Sequence, residues 1–139
     1  MVNIYKYSFL NSSEYIELFI YSFIGFIIPL LIGHPQVLVG IIVNAVLFLS
    51  AKNLNGMKLL PLIIAPSLGV LARGIIFGPL TIYLAYMIPF IWLGNAVLVI
   101  SFRKIQFKRI WIKIVSCSFL KSALLFFSAL VLFKLELFL

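Results

Sequence analysis

The sequence predicts an all-α protein, a polytopic transmembrane helical bundle of five spans that forms one integral membrane domain over residues 1–139. Three observations predict this class. Hydrophobic residues make up 65% of the chain and charged residues 10%, whereas a soluble domain is about half apolar and about a quarter charged. The apolar residues fall in runs of the length that crosses a bilayer, which takes about 20 helical residues. The connections between the runs are too short for an extramembrane domain.

Five apolar runs are predicted to span the membrane. They cover residues 15–33, 36–51, 57–73, 78–102 and 108–132. We expect Ser12 or Ser13 to cap the first helix, with Glu14 and Glu17 in a first turn that favours acidic residues. With five spans the C-terminus lies on the opposite side from the N-terminus. If the last run divides into two short spans, the count becomes six and the C-terminus returns to the side of the N-terminus.

Prolines lie within or at the ends of four predicted spans: Pro29, Pro61, Pro66, Pro79 and Pro89. An interior proline frees a carbonyl on the preceding turn, and in a bilayer that carbonyl needs another donor or a water-filled cavity. We therefore expect proline-broken helices, which are typical of solute-binding membrane folds. Pro89 is expected to open the fourth helix, with Asn95 in the interior so created. Asn95 would then face the helices that carry Asn44 and Lys121.

Basic residues are distributed unevenly between the two ends of the predicted bundle. Eight lie on the side of the N-terminus and of the second and fourth connections. Two lie on the other side, and one lies within a span. The eight are Lys6, Lys52, Lys58, Arg103, Lys104, Lys108, Arg109 and Lys113; the two are Arg73 and Lys134; the one is Lys121. Since short cytoplasmic loops are rich in Lys and Arg, we predict a multi-pass protein of the cell (plasma) membrane with a cytoplasmic N-terminus.

The net charge of +8 therefore indicates orientation in the membrane and not nucleic-acid binding. The N-terminal residues show no small-residue cleavage site after a basic start, so we expect no removable signal peptide. The first apolar run is itself the first span.

Among the polar residues within the predicted spans, Asn44, Asn95 and Lys121 lie away from the ends, and each has two interpretations. Asn44 and Asn95 either form hydrogen bonds between helices or contact a ligand, since an amide both donates and accepts. Lys121 is too deep to reach either surface by snorkelling, and a charge at that depth costs about 3 kcal/mol. It is either neutral and bonded to carbonyls or amides, or it meets an anion.

A second set of polar residues is expected near the outer ends of the spans. It consists of His34, Gln36, Arg73, Tyr83 and Tyr86. These side chains either receive an anionic or polar solute from outside or anchor the helices at the interface, as Arg and Tyr do routinely.

Enzymatic activity is not expected, and no catalytic residue is predicted. The chain has no Asp, its Glu residues lie near the ends of the spans, and its only His lies in a connection. Paired acids or a Ser–His pair on facing spans are therefore missing. One Cys and one His do not supply a metal or haem site, so we predict no metal and no cofactor.

Four stretches resemble a group of small prokaryotic polytopic membrane proteins, over about residues 33–127. They are GHPQVLVGIIVNAVLFLSA, LPLIIAPSLGVLARG, GPLTIYLAYMIPFIWLGNAVLV and SFLKSALLFF. Some members of this group carry an iron hydrogenase label, but a single Cys cannot hold hydrogenase clusters. The group is distantly similar to the substrate-binding S components of energy-coupling-factor (ECF) transporters.

This resemblance implies a protein that captures a vitamin or metal near the outer face and docks onto a membrane coupling subunit driven by two ATPases. It implies a ligand site at His34, Gln36, Arg73, Tyr83, Tyr86 and Asn95. The first hypothesis for function is thus a membrane-embedded solute-binding and transport subunit. The alternative is a non-catalytic structural subunit of a larger membrane complex, in which Asn44, Asn95 and Lys121 bond across helix interfaces. Membrane lipid is a partner under both hypotheses.

Overall fold

The structure, a computed structural model, describes residues 12–32, 34–54, 56–77 and 81–135, and of residues 75–77 and 81–84 it describes the backbone alone. Five α-helices follow one another: α1 (Ser12–Leu31), α2 (Gln36–Asn53), α3 (Leu60–Phe77), α4 (Thr81–Lys104) and α5 (Ile110–Lys134). A short 3-10 turn, Gly56–Leu59, precedes α3. The described residues contain helices and no strand, which confirms the all-α class.

All five helices are long and apolar enough to cross a membrane. Their stretches are Ser12–Leu31, Gln36–Asn53, Gly56–Gly74, Ala85–Lys104 and Ile110–Lys134. These match the five predicted runs in number and order, so the multi-pass membrane character is confirmed. The first helix begins at Ser12, which places both Ser12 and Ser13 inside its first turn. α5 is one continuous helix, without a division of the last run into two spans.

The proline breaks predicted from the sequence are not confirmed. α1, α3 and α4 run on through Pro29, Pro66 and Pro89 respectively. Pro61 lies in the first turn of α3, where a backbone N–H would have no intrahelical partner in any case. Pro79 lies outside the described residues. Single prolines thus change the hydrogen bonding of one turn here and leave the helix intact.

The closest helix–helix contact is between α1 and α3, and two glycines allow it. A Cβ atom built on Gly25 would lie 3.6 Å from Cγ of Pro66, an ordinary contact distance. A Cβ atom built on Gly69 would overlap the carbonyl oxygen of Phe26. Small residues of this kind let helix backbones approach in a membrane. The ring of Pro66 therefore packs on the flat face at Gly25, and Gly69 fixes the spacing one turn further along.

The buried core lies towards one end of the bundle. Its members come from α2 beyond residue 42, the connection to α3, the first turn of α3, the last half of α4 and the first half of α5: Val43, Val46, Leu47, Ala51, Leu54, Leu59, Leu62, Leu98, Val99, Phe102 and Cys117. This is the end predicted to be cytoplasmic. In α2 the buried side chains begin at Val43, while residues 36–42 are exposed or half-buried. Among the described residues, the predicted outer half of α2 is thus less covered by this chain.

Substitution of Gly69 by Ala is expected to lower the free energy of unfolding by about 1–3 kcal/mol, the usual cost of overpacking. The added methyl group would overlap the Phe26 carbonyl, which belongs to backbone and cannot rotate away. The measurement is reversible unfolding in mixed micelles.

Gly40→Ala is the matched control for this prediction. Gly40 is an exposed helical glycine in α2 with no atom within 4 Å of an added Cβ. Gly40→Ala should leave the free energy of unfolding unchanged or raise it slightly, because Ala is the better helix former. Equal effects of the two substitutions would contradict the assigned α1–α3 contact.

Candidate functional site

A hydrogen bond between α5 and α2 crosses the middle of the bundle. The amino nitrogen Nζ of Lys121 donates to Oδ1 of Asn44 over 2.5 Å. Each residue lies about midway along its helix, and each is half-buried. The amino group is therefore held inside the bundle at the depth expected for the bilayer centre.

Gly94 of α4 provides the space through which Lys121 reaches α2. A Cβ atom built on Gly94 would lie 3.4 Å from Cγ of Lys121 and 3.5 Å from Leu125. The stem of Lys121 thus lies across α4 at the one position without a side chain. α2, α4 and α5 together hold the Lys121–Asn44 pair.

The acceptor in this pair is an amide oxygen, and no carboxylate is available in the same helices. Residues 36–134 contain neither Asp nor Glu. Glu14, at the start of α1, accepts a hydrogen bond from Lys58 at 2.7 Å. A protonated lysine carries three donors, and Asn44 accepts one of them. No Asp or Glu side chain of residues 36–134 is present to neutralise this amino group.

Asn95 bonds to a different helix from the one expected. Its Nδ2 donates to the carbonyl oxygen of Ile63 in α3 over 2.9 Å, so it does not face the helices of Asn44 and Lys121. The physical reason is helical geometry: neighbouring residues point about 100° apart. Gly94 faces α5, and Asn95 is turned to α3. Asn95 is 1% exposed, and its Oδ1 is buried with no hydrogen-bond partner in the described part of the chain.

A second contact between α3 and α4 lies beside Asn95. The indole Nε1 of Trp92 donates to Oγ of Ser67 over 2.5 Å, and Ser67 donates to the carbonyl oxygen of Ile64 over 2.7 Å. Pro66 has no N–H for the carbonyl of Leu62, four residues before it. The donors from α4 go to the neighbouring carbonyl of Ile63 and to the hydroxyl of Ser67. Ser67 and Trp92 were not among the residues singled out from sequence. Trp92 and Asn95 lie three residues apart on one helix face, and this spacing is the sequence pattern that could have indicated Trp92.

The predicted outer residues are placed as follows. His34 and Gln36 are exposed, at the connection into α2. Arg73 is half-buried, and its Nη1 donates to the carbonyl oxygen of Leu30 over 3.5 Å, where α1 ends with unsatisfied carbonyls. Tyr86 is 44% exposed. The side chain of Tyr83 lies outside the described residues.

Open apolar grooves lie between helices in the described part of the chain. The groove between α1 and α3 has a volume of about 370 Å³, and the groove between α3 and α4 about 440 Å³. The first is lined by Phe19, Ser22, Phe23, Phe26, Pro61, Ile64, Ala65 and Leu68, the second by Leu60, Ile63, Ile64, Pro89, Trp92, Leu93 and Ala96. Neither lining includes a residue predicted to bind ligand. Their chemistry suits hydrocarbon chains.

No group of three His, Cys, Asp or Glu side chains within 12–32, 34–54, 56–77 and 81–135 could hold a metal ion. Cys117 is buried and free. Comparisons with family models, curated proteins and solved structures found no match for this chain.

A double-mutant cycle tests the Lys121–Asn44 hydrogen bond. We expect Lys121→Met and Asn44→Leu to be coupled by about 0.5–1.5 kcal/mol, the range for hydrogen bonds between membrane helices. The coupling is the readout, because Lys121→Met also removes the cost of placing an amine in hydrocarbon. Unfolding in mixed micelles measures the four variants.

The cycle of Asn44→Leu with Lys134→Met serves as the control. Lys134 lies in the last turn of α5 and is exposed, so its substitution should be additive with Asn44→Leu. Additivity in both cycles would contradict the contact between α2 and α5.

Proposed function

We propose that this chain is a solute-binding and transport subunit of the plasma membrane, which captures a small solute from the outer face and has no enzymatic activity of its own. The observation that carries the proposal is the Lys121–Asn44 pair in the middle of the spans. An amine at this depth costs about 3 kcal/mol on insertion scales, and one amide hydrogen bond returns about 1 kcal/mol or less. Residues this costly inside a membrane usually mark a substrate or ion pathway.

The donors of the pair indicate the chemistry of the solute. Lys121 has donors beyond the one that Asn44 accepts, and Nδ2 of Asn44 adds two more. With no Asp or Glu in residues 36–134, the site favours an acceptor-rich solute, such as a carboxylate or another anion. The solute would take the place that a carboxylate side chain takes in an intramembrane ion pair.

The distribution of buried residues supports entry from the outer face. The described core lies towards the predicted cytoplasmic end, and residues 36–42 of α2 are exposed or half-buried. A solute approaching from the outer face would pass His34, Gln36 and Arg73 before it reaches Asn44. The N-terminus is cytoplasmic in this proposal, by the distribution of basic residues.

The partners in this proposal are those of an ECF S component. In this proposal the membrane domain relies on a coupling membrane subunit and ATPases for energy. The quoted motifs of the second, third, fourth and fifth helices support this assignment as a resemblance.

A structural role in a larger membrane complex is the second candidate, and one set of contacts favours it. Asn95 and Trp92 bond to α3 across a helix interface, which is what polar residues do when they only hold helices together. The apolar grooves are open at the surface, where another membrane protein could cover them. In this role Lys121 is also an interhelical contact, and no solute is bound.

Native mass spectrometry of protein extracted gently from its own membrane separates the two roles. We expect wild-type protein to carry a small molecule that Lys121→Met and Asn44→Leu each lose by tenfold or more, about the effect of one hydrogen bond to a charged group. The reason is that each substitution removes a donor to the solute.

The control is Lys134→Met, the same substitution at the exposed end of the same helix, which should keep the solute. Membrane insertion of all variants is checked by extraction yield. A stable assembly with unrelated membrane subunits and no small molecule in any variant would contradict solute capture and support the structural role.

A further inference from the structure

The connection between α4 and α5 concentrates positive charge at one end of the bundle. Five of its residues or their neighbours are basic: Arg103, Lys104, Lys108, Arg109 and Lys113. No acidic residue lies between residues 18 and 135. Glu14, near this end, is already paired with Lys58. The charge of this connection is therefore not neutralised from within its own stretch of chain.

Two of these side chains are held against the protein. Nε of Arg103 donates to the carbonyl oxygen of Ala51 over 3.0 Å, which ties the end of α4 to the last turn of α2. Nζ of Lys113 lies 4.3 Å from the ring centroid of Phe102, a cation–π contact. Nη2 of Arg103 is buried and has no partner in the described part of the chain. Because Nη2 is closed to solvent, Arg103 contributes positive charge, and not a free donor, to an anion from outside.

The other basic side chains of these chain segments are exposed. They are Lys104, Lys108 and Arg109 in the connection and Lys52, next to Ala51, in α2. Together with Arg103 and Lys113 we call these six residues the basic surface. The basic surface thus combines two anchored cations with four exposed ones on adjoining chain segments, and this charge attracts an anion with several acceptor oxygens.

The start of α5 adds to this preference for an anion. The residue before the helix, Arg109, makes no side-chain cap hydrogen bond, and the first turn holds no acidic residue. The N–H groups of a first helical turn lack intrahelical partners, and the helix dipole favours negative charge there. The first turn of α5 therefore presents donors beside Lys108 and Arg109.

The basic surface lies at the membrane interface, and this position favours a lipid headgroup as the anion. α4 ends at Lys104 and α5 begins at Ile110, and both helices span the membrane, so the connection lies at the level of the lipid headgroups. Phe107, Ile110 and Trp111 are exposed beside it, Trp111 by 76%. Aromatic side chains at this level are typical of the membrane interface. Apolar side chains and cations thus lie close together in the chain at the level where acyl chains meet headgroup phosphates.

We propose that the basic surface binds the headgroup phosphate of an anionic phospholipid, with acyl chains against Phe107, Ile110 and Trp111. Basic residues next to a membrane gain about 1 kcal/mol each from anionic lipid. This binding does not depend on solute capture, since the basic surface and the Lys121–Asn44 pair lie on different levels of the bundle. It would hold equally in a structural subunit.

The test compares lipid binding to purified, delipidated protein in neutral detergent by native mass spectrometry, with phosphatidylglycerol and phosphatidylcholine as probes. We expect wild-type protein to retain phosphatidylglycerol in preference to phosphatidylcholine. Lys108→Gln/Arg109→Gln should weaken phosphatidylglycerol binding roughly thirty-fold at low salt, at about fivefold for each neutralised charge. Detergent exposes both ends of the protein, so insertion orientation does not affect the readout.

Lys134→Gln is the control, because Lys134 is an exposed lysine at the opposite end of α5. It should bind phosphatidylglycerol as wild type does, and circular dichroism should show all variants folded. Equal retention of both lipids, or unchanged phosphatidylglycerol binding in the double variant, would overturn the proposal. Displacement of the lipid by equimolar glycerol phosphate would overturn it too, since it would indicate a site for soluble phosphate. A polyglutamate peptide serves as the probe for an acidic protein partner. If Lys108→Gln/Arg109→Gln weakens binding of this peptide and leaves phosphatidylglycerol binding unchanged, the surface belongs to an acidic protein instead.

Discussion

In the hydrocarbon of a bilayer a polar group has no water to bond, so a hydrogen-bond partner inside the protein strongly stabilises it. The arrangement of these five helices depends on that constraint. Asn95 of α4 donates to the carbonyl oxygen of Ile63 in α3, and Trp92 of α4 donates to the hydroxyl of Ser67 in α3. In the same membrane layer Lys121 reaches Asn44. Hydrogen bonds of this kind determine which face each helix turns inward, where apolar surface alone would leave the rotation open.

Glycine makes these hydrogen bonds sterically possible. Gly94 leaves the gap across which Lys121 passes, and Gly69 lets α1 approach so closely that only hydrogen fits against the Phe26 carbonyl. The result is a bundle that is tied at mid-depth by polar contacts and buried mainly towards one end. The same end carries the basic surface, so packing, charge and predicted orientation coincide. The opposite end is the more open one among the described residues, which is why solute capture is proposed from there.

Much of the fold could be predicted from the sequence, because the length and spacing of apolar runs are local properties. The five spans appear in order, with ends displaced by a few residues. The effect of the prolines was not predictable in the same way. Whether Pro89 breaks a helix depends on whether its neighbours can compensate, and α4 continues through it. Likewise, the depth of Asn95 follows from its place in the run, but its partner in α3 depends on helix rotation and on which helices are adjacent. Lys121 and Asn44 were singled out by their depth, and their pairing emerged only from the assembled bundle.

The most direct test of this account is a distance measurement in lipid bilayers by solid-state NMR, with Nζ of Lys121 labelled with ¹⁵N and Cγ of Asn44 with ¹³C. The account predicts a separation of about 3.5 Å, from a hydrogen bond of ordinary length plus one carbonyl bond, and no contact of Nζ with lipid phosphorus. A dipolar contact between Nζ and lipid phosphate, with none to Asn44, would show that Lys121 leaves the interior for the membrane surface. That result would contradict the polar centre of the bundle and the solute site built on it.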